Sequence, residues 1–162
     1  MNLKSLKYNN RLETMMLNSF KKSKQGCACI FIPITKTIGV KCYHSHNNRN
    51  SSFSLQRKAS KYGLGPKVGI KFEIKLKGSI LLKCDDFSYW VDDYGYKYIY
   101  CYFTQIAKQP AKAKIKERKI LRDKLDENKI GIGDFFYNTS NLGRIGKKLV
   151  VLDFDRGSQF CS

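Results

Sequence analysis

Two segments in the middle of this chain repeat with a period of two. Val68 to Leu82 places Ile70, Phe72, Ile74 and Leu76 at alternate positions, and Tyr96 to Ile106 is dense in aromatic and β-branched residues. Successive side chains of a strand point to opposite faces, so this pattern commits the middle of the chain to a sheet. The other segments must then be arranged around that sheet.

Upstream, Cys27 to Ile32 and Ile38 to Tyr43 read as a hairpin, with its turn near Pro33-Ile34-Thr35-Lys36. Residues 1–24 carry Leu12, Met15, Met16 and Phe20 at helical spacing, which predicts a short amphipathic helix or a loose basic arm. The polar, Asn-rich stretch His44 to Ser52 reads as a loop. A helix is expected over Ser52 to Tyr62, capped by Ser51 or Ser52 and ended by Gly63, with a turn through Pro66. Asp92-Asp93-Tyr94-Gly95 is a second turn. A longer helix is expected from Ala111 to Asn128, starting near Pro110. It turns Ile115, Ile120, Leu121 and Leu125 inward, with Lys119/Asp123 and Arg122/Asp126 as i,i+4 pairs. A turn, a loop, the strand Lys148 to Leu152 and a short tail follow. The fold class is therefore α+β: an antiparallel sheet with one packed helix, then a small region of one longer helix and a hairpin-like loop. Its regions are a basic helix or arm (1–24), a β-rich part (25–108) and a C-terminal part (109–162), forming one domain or two small lobes sharing a cleft.

A hydrophobic fraction of 42% and an aromatic fraction of 13% suffice for a real core. No apolar run approaches the ~20 residues of a membrane span, so no membrane partner is expected. The basic N-terminus lacks the apolar stretch of a secretory signal, and the cytoplasm is the expected location. Six cysteines at these spacings do not make a disulfide framework. Cys27-Ala28-Cys29 and Cys42-Tyr43-His44-Ser45-His46 gather soft ligands, but without the usual C-x2-C or H-x3-H spacing. Burial as small hydrophobes is the expectation and a structural zinc the alternative.

Lys and Arg number 31 against 13 Asp and Glu, a formal charge of +18. Dense runs lie at Lys21-Lys22-Ser23-Lys24 and from Lys112 to Lys124. Such a surface attracts nucleic acid, anionic partners or nucleotide phosphates. The alternative is a solvated face that keeps the protein soluble. No nucleic-acid motif is present.

The last segment carries the chemistry. Asp134-Phe-Phe-Tyr-Asn-Thr-Ser-Asn141-Leu-Gly143 precedes Gly146-Lys-Lys-Leu-Val-Val-Leu-Asp153-Phe154-Asp155. An acidic residue, a downstream Asn, a short apolar strand and an Asp-Phe-acidic tripeptide follow the order used in phosphoryl transfer. In these parts the chain resembles a reduced, atypical protein-kinase-like fold, of the small-molecule-kinase and phage-encoded kind, from about Gly26 to Asp155. A Lys-, Ile-, Asn- and Tyr-rich composition fits a phage or other viral genome.

The resemblance implies ATP and Mg²⁺ as cofactors, bound in a cleft between an N-lobe-like sheet and a minimal C-terminal lobe. Lys41, preceded by Gly39-Val40, stands where the strand lysine would meet the phosphates. Asn141 and Asp153 stand as the metal ligands, with oxygens suited to Mg²⁺. Asp134 stands as the catalytic base. Its distance of seven residues to Asn141 exceeds the motif's roughly five, and Ile132-Gly133 replaces the usual His-Arg. Gly26 is the remnant of a glycine-rich phosphate loop. Gln56 takes the place of the helix Glu that would hold the lysine, because no acidic residue occurs between Glu13 and Glu73. Only Arg156 to Ser162 follow Asp155, so no peptide-docking lobe is expected in the chain. Three functions follow: an ATP-dependent phosphotransferase, a catalytically silent pseudokinase that engages a host protein, and a basic nucleic-acid-associated protein. Nothing in the sequence sets an oligomeric state.

Overall fold

The computed structural model describes residue 3 and residues 6–22, 29–77, 92–108, 112–131 and 141–154. In chain order the elements are helix α1 (Asn10–Lys22), strands β1 (Cys29–Pro33) and β2 (Ile38–Tyr43), helix α2 (His46–Lys61), strands β3 (Val68–Lys77) and β4 (Tyr96–Gln105), helix α3 (Ile115–Glu127), and strands β5 (Leu142–Ile145) and β6 (Lys148–Val151). The period-two segments become β3 and β4, the longest strands, and the architecture is α+β. The first four strands form one antiparallel sheet in the order β1-β2-β4-β3, and β5 and β6 form a separate hairpin. Because β4 lies between β2 and β3, the chain leaves β2, runs through α2 and returns to the sheet's far edge.

The alternation gives the sheet two different faces. On one, Ile30, Ile32, Ile38, Val40, Cys42, Ile74, Leu76, Ile99, Cys101 and Phe103 form an apolar layer, which α1 covers with Leu12 and Met16. Met15 and Leu17 pack beside them, while the side chain of Phe20 lies outside the described residues. The approach to α1 is held locally. Asn9 Oδ1 accepts from the Leu12 amide at 2.9 Å, the Tyr8 hydroxyl donates to Glu13, and the Tyr8 ring stacks 5.1 Å from Phe72. Of the two expectations for residues 1–24, a packed helix is the one that forms over Asn10–Lys22.

The other face meets α2 and, past its end, a second apolar cluster. Ala59, Leu64, Leu121, Leu125, Ile130, Leu142, Val151 and Phe154 join the end of α2 to α3 and the β5–β6 hairpin. Backbone bonds fasten this cluster to the rest. Val151 N–H donates to Leu64 O at 2.9 Å, and Lys108 and Arg144 exchange bonds of 2.8 and 3.0 Å. Arg144 also reaches Glu117 at 3.0 Å.

The expectations for both later helices are corrected. Helix α2 starts at His46 rather than Ser52, with Ser45 as its N-cap. Its inward residues include Arg49, Ser52 and Gln56, so the helical period is written in polar side chains and hydropathy does not show it. Helix α3 starts at Ile115 rather than Ala111. Its first turn is held by the Glu117 carboxylate, which accepts the Lys114 N–H at 2.9 Å. At 13 residues it is shorter than α2 at 16, so the second helix is not the longer one. Only Leu121 and Leu125 of its expected stripe are buried; Ile115 and Ile120 are 67% and 46% exposed. The expected hairpin forms, with residues 142–145 as its first strand, β5. Gly146, at φ 61°, closes the turn to β6 in a conformation that favours glycine. The Gly63 expectation holds: with φ 67° it follows the last residues of α2. Arg122 and Asp126 approach at 4.0 Å. Among the described residues no helix is long and apolar enough to cross a membrane.

If α1 is integral to the sheet's core, Met16→Ala removes a fully buried side chain and should destabilise the protein by about 2–5 kcal/mol. Urea unfolding measures this; a loose arm would give a change near zero.

Candidate functional site

On β2 the residues Gly39, Lys41 and Tyr43 face α2, opposite the face that α1 covers. Lys41 pairs across the sheet with Phe31 on β1 and Tyr102 on β4. Its side chain leaves the sheet toward the C-terminal hairpin. There Lys41 Nζ donates to Leu152 O at 2.6 Å and lies 5.7 Å from the centre of the Phe154 ring.

Leu152 is the junction of this site. Its carbonyl accepts from Lys41, and its own N–H donates to Asn141 O at 2.9 Å. The register of the hairpin, Leu142 opposite Val151, sets Asn141 beside Leu152. Asp153 follows directly, and the next residue, Phe154, anchors the strand end in the second cluster at 1% exposure. That anchor is tight: a Cβ on Gly65 would stand 2.8 Å from Phe154 Cζ. Lys41 and the Asn141 backbone therefore both bond to Leu152, the residue before Asp153, although 111 positions separate Lys41 from Leu152. Lys41, Asn141 and Asp153 are half-buried. Asn141 and Asp153 offer an amide and a carboxylate oxygen, which are hard donors suited to Mg²⁺ with water and phosphate oxygens completing its shell. Among the described residues no group of three or more His, Cys, Asp or Glu gathers as a metal site.

Gln56 lies on the inner face of α2 and is fully buried, but it does not bond to Lys41 as expected. Its Oε1 accepts from the Tyr102 hydroxyl at 2.9 Å, and its Nε2 donates to Thr104 Oγ1 at 2.6 Å and Pro66 O at 3.2 Å. An amide both donates and accepts, so it satisfies a phenol on one side and a hydroxyl and a carbonyl on the other, which a carboxylate could not do. Gln56 thus stands behind Tyr102, and it is Tyr102 that faces Lys41.

This belongs to a buried polar network that sequence reasoning missed. Tyr43 OH and Ser52 Oγ lie 2.7 Å apart, and Ser52 Oγ and Tyr102 OH 3.1 Å apart. Because Tyr102 donates to Gln56, its oxygen is the acceptor in the bond with Ser52. The network fastens α2 to the sheet with polar bonds where an apolar seam would be ordinary. The available signal was the i,i+4 pair Ser52/Gln56 set against the i,i+2 pair Tyr102/Thr104. Burial raises the Tyr102 pKa above the ordinary tyrosine value. The Lys41 charge and the hydrogen bonds from Ser52 and Tyr43 pull the other way.

The remaining expected residues divide as follows. Gly26, Asp134 and Asp155 lie outside the described residues, as do Cys27 and Cys84. Cys42 and Cys101 are buried and sit opposite each other on β2 and β4, and Cys29 is half-buried; none is in a disulfide. Burial, then the neighbouring Cys101, raises the Cys42 pKa well above that of an ordinary thiol. His46 opens α2, its ring 5.4 Å from Tyr100 and 3.2 Å from the Asn50 amide. No family model, curated protein or solved structure matches the chain.

The raised Tyr102 pKa fixes the sign of a pH effect. The phenol's contribution is complete below the unfolded value of about 10 and is lost as pH rises through the higher folded value. Tyr102→Phe should cost about 1–3 kcal/mol at neutral pH. Urea unfolding between neutral pH and pH ~11 should then show a shallower alkaline decline for the variant than for the wild type.

Proposed function

We propose that the chain is a kinase-like protein that binds ATP with Mg²⁺ at Lys41, Asn141 and Asp153. The carrying observation is Leu152, whose carbonyl accepts from Lys41, whose N–H donates to the Asn141 backbone carbonyl, and which leads directly into Asp153. The bond to Leu152 O holds Lys41 at the hairpin end, beside the residues that would hold the metal, where its charge would meet phosphate oxygens. Asn141 and Asp153 would hold the metal, which supplies positive charge between the phosphates. The order of elements agrees with an N-lobe-like sheet: a lysine on the strand before the packed helix, and a hairpin ending in Asp-Phe.

Transfer to a substrate hydroxyl would use Asp134 as the base, in keeping with its place upstream of Asn141. The phosphotransferase reading depends on that residue, whereas nucleotide binding does not.

One observation favours a second reading, a catalytically silent module that engages a host protein. Gln56 brings no charge to the lysine, and its bonds serve the fold. In an active kinase the helix residue at this place is a Glu that pairs with the lysine, a role that Gln56, engaged with Tyr102, Thr104 and Pro66, does not take.

Thermal melting separates these readings. Mg-ATP at about 100 times its Kd should add ~2.7 kcal/mol of stability. Asp153→Ala should remove most of the resulting Tm shift while leaving the melt without nucleotide within a few degrees of wild type. If neither Mg-ATP nor Mg-GTP raises the Tm, the nucleotide reading is wrong and the binding-module reading stands.

A further inference from the structure

Five tyrosines stand at alternate positions from Tyr94 to Tyr102. Four of them, Tyr96 to Tyr102, lie on the α2 face of β4, while Ile99, Cys101 and Phe103 on its other face enter the core beneath α1. Their burial falls steadily along the strand. Tyr102 is fully buried in the polar network, Tyr100, Tyr98 and Tyr96 are half-buried, and Tyr94 in the turn is 85% exposed. Helix α2 accounts for the gradient. Its first turns reach as far as Tyr100, with the Arg49 guanidinium 5.3 Å above that ring and His46 against its edge.

The neighbouring edge strand sets cations beside these rings. Lys71, Glu73, Lys75 and Lys77 on β3 pair with Tyr102, Tyr100, Tyr98 and Tyr96 respectively, and all four β3 residues are exposed. Glu73, the one acid, is paired with the buried Arg49 at 3.4 Å. Lys75 Nζ lies 3.9 Å from the Tyr96 ring centre and 5.7 Å from that of Tyr98. The outer end of this face is therefore a row of phenol rings bordered by lysines, on a chain with a charge of +18.

We propose that this strip binds single-stranded nucleic acid, with bases stacked on Tyr96 and Tyr98 and phosphates beside Lys71, Lys75 and Lys77. Alternate residues on a strand are about 7 Å apart, so an extended strand with splayed bases can set one base on each ring. Stacking on aromatic rings within a cationic groove is how single strands are held without sequence preference. Lys75 is exposed on a flexible stem, so it can leave the Tyr96 face to a base and turn its ammonium to a phosphate. An acidic peptide would use the lysines but not the ring faces. A duplex keeps its bases stacked internally and would use only the charge. Tyr96 lies six residues along β4 from Tyr102, roughly 20 Å from the Lys41 end of the face, so this surface is separate from the proposed nucleotide site.

The test is fluorescence anisotropy of the full chain with a labelled oligouridine over a salt series. Tyr96→Leu/Tyr98→Leu keeps apolar cover and should weaken binding about tenfold or more with an unchanged salt slope. Lys75→Gln/Lys77→Gln should weaken it and lower the slope by about one to two. Lys116→Gln/Lys119→Gln on α3 loses the same charge at exposed positions and should change the affinity less than the β3 pair does. A duplex of equal length should bind more weakly than the single strand. The proposal is overturned by an absence of binding at low salt, by tighter binding of polyglutamate than of oligouridine, or by wild-type affinity in the tyrosine pair. It is also overturned if the α3 pair costs as much as the β3 pair. The exposed lysine variants preserve the test should the tyrosine pair fail to fold.

Discussion

Strand β4 is the element on which the rest of the molecule depends. It is hydrogen-bonded on both sides, to β2 and to β3, and its alternation divides the structure. One set of its side chains, Ile99, Cys101 and Phe103, supplies the centre of the apolar layer under α1. The other meets α2 from Tyr100 to Thr104 through hydroxyls and ring faces. Apolar burial stabilises the first face without directional demands. The second is directional: Tyr102, Ser52, Gln56 and Thr104 must each find a partner, because a buried donor or acceptor left alone costs about 1–3 kcal/mol. The packing of α2 is therefore specific in rotation and height, and α2 in turn sets where the second apolar cluster begins.

From that cluster the hairpin is brought back to the sheet. Phe154 is held against Gly65 and Ala59, and Leu152 then lies within reach of Lys41. A hydrogen bond from a charged group is worth about 1.5–3 kcal/mol, enough to fix an orientation but too little to assemble the two parts. The apolar cluster does the assembling and the Lys41–Leu152 bond sets the alignment. As a result, the Lys41 ammonium meets the backbone of the hairpin end at Leu152, between Asn141 across the hairpin and Asp153 next in the chain.

Much of the sheet was readable from period-two alternation, because β3 and β4 each bury one face in a largely apolar layer. The start of α2 was not, because Arg49, Ser52 and Gln56 face a polar sheet surface and carry no hydropathic period. Ile115 and Ile120 misled in the opposite sense, as apolar residues that the structure leaves at the surface. The hairpin that links Asn141 to Asp153 was readable because it is local. The Lys41–Leu152 bond depends on closure over more than a hundred residues, which local pattern cannot carry. Gln56 was placed correctly on the inner face of its helix, but its partners come from β4 and the turn after α2, and only the assembled sheet identifies them.

The central claim is that Lys41, Asn141 and Asp153 form one phosphate- and metal-binding site. Paramagnetic broadening by Mn²⁺-ATP in amide NMR spectra of the full chain tests it most directly, since broadening falls steeply with distance from the metal. The account predicts that the signals of Asn141, Leu152, Asp153 and Lys41 are lost first, while those of α1 and the outer end of β4 persist. Broadening centred elsewhere, or none at saturating Mn²⁺-ATP, would contradict it.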